Sequence, residues 1–187
     1  LGGLRSLPNL TIITPASPME VKKATVAAYE YEGPVYLRLG TNKEAEIYEK
    51  DYIFEIGKGV VMREGRDITL ISLGTVVKDV LDVAEALDKE GINTRVINMH
   101  TVKPIDRELI MQAIDETGRI VTIEDHNIIG GLGSAVAEVI AEYGKGVTFK
   151  QMGLHNFSEG YGTYQQVKAN NGIDVPCIYN AVKKIMD

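Results

Sequence analysis

The sequence predicts an α/β protein in three layers, with helices on both faces of a mostly parallel sheet. Short apolar runs rich in β-branched residues alternate with amphipathic helical stretches from residue 67 onward. Glycine or proline stands at many of the boundaries between them. Strands that alternate with helices of this length imply right-handed parallel crossovers, and hence a three-layer α/β/α architecture.

A smaller unit precedes this domain. The run "LTIIT" at 10–14 predicts a strand, and "PASP" ends it. The next stretch predicts a helix whose inner face carries Val21, Ala24, Ala28 and Tyr31. Gly33 and Pro34 end that helix, and "VYLRLG" predicts a second strand. One strand-helix-strand unit is too small to be a domain, so we expect residues 1–41 to be a fragment of a second α/β domain.

The stretch "TNKEAEIYEKDYIFEI" is polar and has no clear period, as expected of a segment that crosses a surface. We therefore assign residues 42–56 to a linker and residues 57–187 to the main domain.

The first half of the main domain reads as strand, helix, strand, helix. "DITLISLG" predicts a buried strand, and the following helix ends near Gly91. The inner face of that helix comprises Val76, Val77, Val80, Leu81, Ala84 and Leu87. "TRVINM" predicts the next strand, and "TVKPID" at 101–106 leads to a helix from about Asp106 to Gly118.

The second half repeats the pattern. "RIVTIE" predicts a strand, followed by a helix that turns Leu132, Val136, Val139, Ile140 and Tyr143 inward. "VTFKQMGL" predicts the last strand, and two helices follow at about 162–170 and 176–186.

Composition excludes several classes of function. The formal charge of -6 and the pI near 5.2 argue against a nucleic-acid surface, which needs clustered Lys and Arg. No run approaches the roughly 20 apolar residues of a membrane helix. Cys177 is the single cysteine, so no internal disulfide can form. We expect a cytoplasmic protein without a membrane segment, and, since the chain begins "LGGLRSLPNL", one that starts within a longer polypeptide.

Two motifs are candidates for chemistry. Glu124, Asp125 and His126 stand at the carboxyl end of a strand, where ligand crevices of open α/β sheets form, so they are either an acid-base group or a plain loop. "GGLGS" at 130–134 opens a helix, where its backbone N–H groups could cradle an anion. It lacks the full dinucleotide-binding spacing and a phosphate-loop lysine, which favours a tight loop that brings the helix close to the sheet.

The remaining candidates are single residues. Arg38, at the end of a strand, offers a planar fork of donors that matches phosphate, but on the residues alone an ordinary surface arginine is the favoured interpretation. His100, His126 and His155 lack metal-ligand spacing, which argues against a metal site. Cys177 lies in an apolar stripe, where a buried thiol is expected rather than a nucleophile.

Three long stretches resemble one family. They are "PNLTIITPASPMEVKKATVAA…GPVYLRLG", "GKGVVMREGRDITLISLGTVVKDVLDVAEALDKEGINTRVINMHTVKPID" and "TGRIVTIEDHNIIGGLGSAVAEV". Together they resemble the C-terminal part of the transketolase-like, thiamine-diphosphate-dependent enzymes, in order and over nearly the whole chain. The resemblance implies the end of a pyrimidine-binding domain followed by the complete C-terminal domain.

The resemblance also implies a function. The intact enzyme would be a transketolase that moves a two-carbon ketol unit between sugar phosphates, with thiamine diphosphate and Mg held by regions outside this chain. We therefore expect no cofactor on this chain alone, no catalytic residue in it, and an architectural role for "EDH" and "GGLGS". Arg38 is the one site residue carried over, as a ligand of the substrate phosphate. Partners would be the remaining domains or an N-terminal subunit, in a homodimer or heterotetramer.

Alternatives stay open at this point. Within the superfamily they are 1-deoxy-D-xylulose-5-phosphate synthase and a 2-oxoacid dehydrogenase beta subunit. In another class, the chain would be a stand-alone, non-catalytic dimerisation or regulatory module.

Overall fold

The computed structural model describes residues 1–40, 44–157 and 161–186. The predicted boundary at residues 41 and 42, and the terminal Asp187, lie outside these ranges. The helices of the described residues are α1 Gly2–Arg5, α2 Pro18–Glu30, α3 Val77–Asp88, α4 Arg107–Thr117, α5 Leu132–Tyr143, α6 Tyr164–Asn170 and α7 Val175–Met186. The strands are β1 Thr11–Ile13, β2 Val35–Leu37, β3 Val60–Arg63, β4 Ile68–Ser72, β5 Thr94–Asn98, β6 Thr101–Lys103, β7 Arg119–Asn127 and β8 Thr148–Leu154.

The main sheet has the strand order β3-β5-β4-β7-β8. Strands β5, β4, β7 and β8 are mutually parallel, and β3 joins the edge antiparallel to β5. This confirms the predicted mostly parallel sheet with helices on both sides. The edge strand β3 was not predicted, because Val60–Arg63 is too short and too mixed in sequence to stand out as a strand.

Two apolar clusters cover the two faces of this sheet. On one face α3 and α7 pack against side chains such as Leu70 and Val121. On the other face α4 and α5 pack against the alternate residues Ile71 and Ile120. Alternate side chains of a strand point to opposite faces, so strands buried on both sides must be apolar throughout, as "ITLIS" largely is.

Helix ends follow local rules. The Asp106 side chain accepts a hydrogen bond from the backbone N–H of Leu109 and so caps α4. Gly118 ends the same helix in the left-handed conformation, with φ of 62°, as predicted. Before α3, residues Gly74–Val76 form a 3-10 turn that leads into that helix.

The first unit forms a second, smaller sheet of order β2-β1-β6. Strands β1 and β2 are parallel, whereas β6 comes from the "TVKPID" segment of the main domain and pairs antiparallel with β1. Ile12 of β1 belongs to the same apolar cluster as Ile71 and Leu132. The strand-helix-strand unit therefore shares both a sheet and a core with residues that follow the linker.

The inner face of α2 differs from the prediction. Ala24 is buried as expected, but Tyr31 lies at the end of the helix and is 39% exposed. The other buried residue of this helix is Glu20, which has no exposed surface. Helical spacing of apolar residues does not reveal a buried carboxylate, because its burial depends on hydrogen-bond donors from elsewhere in the chain.

Candidate functional site

Arg38 and Asp125 meet although 87 residues separate them in the chain. Arg38 follows directly after β2, and Asp125 lies near the carboxyl end of β7. The Arg38 Nη1 donates to Asp125 Oδ1 at 2.7 Å. The Asp125 side chain is 9% exposed and the Arg38 side chain 27%. The pair thus joins the first unit to the main domain and leaves part of the Arg38 side chain open to solvent.

Asp125 receives further groups besides Arg38. The Thr75 hydroxyl donates to its Oδ2 at 3.0 Å, and the Tyr164 hydroxyl donates to the same oxygen at 3.3 Å. The His126 Nδ1 lies 3.5 Å from Oδ1. Burial opposes ionisation, but His126 and the positive charge of Arg38 outweigh it and hold the pKa of Asp125 well below its ordinary value. The carboxylate is therefore charged at neutral pH.

These residues line a cleft of about 240 Å³. Its wall consists of Thr14, Pro15, Arg38, Leu39, Gly40, Gly74, Thr75, Asp125 and Tyr164. Most of them follow, or lie in the last residues of, β1, β2, β4 and β7, so carboxyl ends of strands from both sheets meet here. Ligands of open α/β sheets bind at such crevices. The Thr14 hydroxyl is buried and has no hydrogen-bond partner among the described residues.

Glu124 explains the "GGLGS" motif. Its side chain is fully buried, and its two oxygens accept hydrogen bonds from the backbone N–H groups of Leu132 at 2.8 Å and Gly133 at 3.0 Å. These are N–H groups of the first turn of α5, which has no side-chain cap at Gly131. The anion cradled by this helix start is thus the carboxylate of the protein itself.

The glycines of the motif make this contact possible. A Cβ on Gly131 would collide with the Glu124 carboxylate and lie 2.8 Å from His126 Nε2. A Cβ on Gly133 would lie 2.7 Å from Thr122 Oγ1. The expected tight loop and close approach of helix to sheet are found.

His126 lies close to both carboxylates. Its Nε2 lies 2.5 Å from Glu124 Oε2, and its Nδ1 faces Asp125. Burial alone would lower the pKa of His126, but Asp125 and Glu124 together raise it above the ordinary value. The "EDH" motif lies within β7 rather than in a loop. Glu124 faces the start of α5, Asp125 faces Arg38, and His126 lies beside both carboxylates.

The other candidate residues lie elsewhere. His100 is buried and stacks on Phe54, with ring centroids 4.2 Å apart, whereas His155 is exposed. Cys177 is half-buried rather than buried, because it lies toward the edge of the apolar face of α7. A hydrogen bond to Asp174, together with burial, raises the pKa of its thiol, which disfavours the nucleophilic thiolate.

Sequence reasoning missed the partners of Arg38. Thr75 follows the buried strand β4, and Asp125 lies near the end of the buried strand β7. These positions at the carboxyl ends of strands could have indicated that both residues line a crevice. Tyr164 carried no such signal, because it reaches the cleft from the first residue of α6.

Across residues 1–40, 44–157 and 161–186, no three His, Cys, Asp or Glu side chains cluster so as to hold a metal ion. In the same ranges, no helix is long and apolar enough to cross a membrane.

Comparison with known proteins agrees with this architecture. Residues 57–178 match the family model described as "Transketolase, C-terminal domain". The chain is 37% identical over 181 residues to a subunit of the apulose-4-phosphate transketolase of Actinobacillus succinogenes, covering 95% of this chain and 58% of that protein. It is 32% identical over 186 residues to a 1-deoxy-D-xylulose-5-phosphate synthase of Heliobacterium modesticaldum, covering 98% of this chain and 29% of that protein.

A solved structure described as "Split gene transketolase, inactive beta4 tetramer" superimposes with a TM-score of 0.94 at 39% identity. The match covers all of this chain and 61% of the solved one. The chain thus spans less than two thirds of the length of each of these proteins. Its sequence, its fold and the family model agree, and the chain belongs to the transketolase family, corresponding to the C-terminal section of that family.

Proposed function

We propose that this chain supplies the C-terminal part of a transketolase that transfers a two-carbon ketol unit between sugar phosphates. Relatives of the family point to a transferase-type enzyme complex, and the similarity to an apulose-4-phosphate transketolase supports this substrate class. When bound, thiamine diphosphate supplies the carbanion chemistry. Residues outside this chain would hold the cofactor and its Mg, so in this proposal the chain alone is inactive.

The chain acts together with the rest of the enzyme, either as further domains of the same polypeptide or as an N-terminal subunit. The relative from Actinobacillus succinogenes is itself one subunit of its enzyme, and the solved split transketolase is described as a tetramer. Both support an oligomer that includes a partner subunit, and the proposed assembly is a homodimer or a heterotetramer. A cytoplasmic location fits a sugar-phosphate enzyme without a candidate membrane helix among its described residues.

The division of the chain is part of the proposal. Residues 1–41 end the pyrimidine-binding domain, 42–56 form the linker, and 57–187 form the C-terminal domain. The match of the family model from residue 57 supports this start. The pairing of β6 with β1 means that the two parts are in close contact across the linker.

Arg38 binds the substrate phosphate in this proposal. The observation that carries it is the position of the guanidinium in a cleft where strands of both sheets end. Part of the side chain faces solvent, and a guanidinium forms charge-assisted hydrogen bonds with phosphate.

A specific observation also favours a second candidate, 1-deoxy-D-xylulose-5-phosphate synthase. The relative of that name aligns with 98% of this chain, as completely as the transketolase relative does. Both reactions use phosphorylated sugars, so Arg38 has the same role in either.

The test is the Arg38→Ala substitution in the enzyme reconstituted with the polypeptide that carries the cofactor site. A contact made equally in the ground and transition states should change KM more than kcat. We expect KM for phosphorylated sugars to rise about ten- to a hundredfold, the equivalent of roughly 1.5 to 3 kcal/mol. Unphosphorylated sugars should be nearly indifferent, and Arg66→Ala, at an exposed arginine outside the cleft, is the matched control.

Three outcomes would change the proposal. An unchanged KM in Arg38→Ala would remove the phosphate role. Formation of 1-deoxy-D-xylulose 5-phosphate without ketol transfer would identify the synthase instead. If no complementary polypeptide restored either activity, the chain would be a non-catalytic module.

A further inference from the structure

We propose that Asp125 is a positioning residue for Arg38, so that the C-terminal domain helps to determine specificity for phosphorylated substrates. This inference rests on the proposed function. It assigns a role to the "EDH" motif, whose middle residue reaches the first unit of the chain rather than a catalytic centre of its own.

Groups of the protein itself hold Asp125 in place. Its Oδ2 accepts from Thr75 at 3.0 Å and from Tyr164 at 3.3 Å, while Oδ1 receives Arg38 at 2.7 Å. With only 9% of its side chain exposed, the carboxylate cannot swing into solvent without breaking these hydrogen bonds.

The donors around Asp125 are themselves held. The Thr75 and Tyr164 hydroxyl oxygens also contact each other, so the single protons of the two hydroxyls are shared among the contact between them and their contacts to Asp125. The Tyr164 ring lies under the Lys168 ammonium, whose Nζ is 4.8 Å from the ring centroid and pairs with the buried Asp79. Burial, with the charge of Asp125, raises the pKa of Tyr164 to about 12, so its hydroxyl remains a donor at neutral pH.

This arrangement limits the freedom of Arg38. A free arginine samples many rotamers, and ordering it on binding weakens affinity. Asp125 holds Nη1, so the guanidinium plane is oriented in advance, while the exposed part of the side chain remains at the cleft. Preorganised donors bind an anion more tightly than mobile ones.

The cleft shows a second sign of a polar ligand. Thr14 lies in its wall, at the end of β1, and its hydroxyl is buried without a hydrogen-bond partner among the described residues. Buried hydroxyls are normally satisfied, so the unpaired hydroxyl of Thr14 marks this wall of the cleft as a place where a polar group lacks its usual partner.

The alternative role for Asp125 is to compete with the substrate phosphate for Arg38. A carboxylate on Arg38 could block the phosphate and repel it, in which case removing the charge would improve binding. The two roles predict opposite changes in KM, so one variant separates them.

The experiment is Asp125→Asn, alone and combined with Arg38→Ala, in the reconstituted enzyme. We expect KM for phosphorylated sugars to rise about tenfold with kcat little changed, and KM for unphosphorylated sugars to stay constant. The double variant should be no worse than Arg38→Ala alone, because Asp125 acts through Arg38. Asp82→Asn, at a half-buried aspartate of α3 that pairs with Lys78 outside the cleft, is the matched control.

Two further variants guard against a folding defect. Asp125→Glu keeps the charge and should recover part of the affinity, and Tyr164→Phe removes one donor and should raise KM by a smaller factor. A lowered KM in Asp125→Asn, or an unchanged KM while Arg38→Ala raises it, would overturn this inference and leave the phosphate role of Arg38 intact. An unchanged KM in Arg38→Ala would overturn both.

Discussion

The buried carboxylate of Glu20 accepts hydrogen bonds from the side-chain amide of Asn98, 78 residues further along the chain. The Asn98 Nδ2 lies 3.0 Å from Oε1 and 3.1 Å from Oε2. The hydroxyls of Tyr48 and Tyr52 each donate to the same Oε1 at 2.6 Å. One carboxylate thus ties together the first unit, the linker and the end of β5.

Glu20→Gln should destabilise the protein by about 1 to 3 kcal/mol, because the new amide group would place a donor against hydroxyl and amide donors. The backbone N–H of Ala16, 2.6 Å from Oε2, would also lose its charged acceptor. Urea unfolding followed by circular dichroism measures the change. Glu30→Gln, on the exposed side of the same helix, is the matched control. Equal stability of the two variants would contradict a structural role for Glu20.

Gly131→Ala should cost about 1 to 3 kcal/mol of stability, because the added methyl would displace the Glu124 carboxylate from the N–H groups of α5. The measurement is the free energy of unfolding in urea. Gly146→Ala has open space around the new Cβ and serves as the control. A Gly131→Ala protein as stable as the control would show that this contact tolerates a side chain.

His126 should make stability depend on pH. Its pKa is raised in the folded protein, so its stabilising contribution is fully present below the ordinary histidine pKa of about 6.5 and is lost as pH rises through the folded-state pKa. The difference in unfolding free energy between wild type and His126→Gln should therefore shrink from acid to alkaline pH. The exposed His155→Gln is the control. A difference that grew with pH would mean that His126 is neutral in the folded protein.

A fragment of residues 57–187 should fold cooperatively but with lower stability than the whole chain. All five strands of the main sheet follow residue 57 and are kept in the fragment. The fragment lacks Ile12, which belongs to one of the two apolar clusters, and it lacks β1, which pairs with β6. The loss should amount to several kcal/mol, as for large deletions from a core. Near-UV circular dichroism and urea unfolding test this. A fragment with secondary structure but no fixed tertiary packing would place the domain boundary elsewhere.

The local pattern of residues determined most of the secondary structure. A helix beginning near Asp106 and ending at Gly118 could be predicted because a capping carboxylate and a left-handed glycine act within one turn. The alternation of apolar strands and amphipathic helices similarly determined a sheet covered on both faces. The family resemblance rests on the same local stretches of sequence, and it is the resemblance that implied a phosphate-binding role for Arg38.

Tertiary structure alone decided how distant segments meet. The "TVKPID" segment becomes a strand because β1 offers it a partner some 90 residues away, and nothing within the segment specifies that pairing. Glu20 is buried because donors from the linker and β5 converge on its carboxylate. Arg38 is held because β7 carries Asp125 to the same cleft. Periodicity and capping act over a few residues, whereas the partners of a buried charge are set by the path of the whole chain.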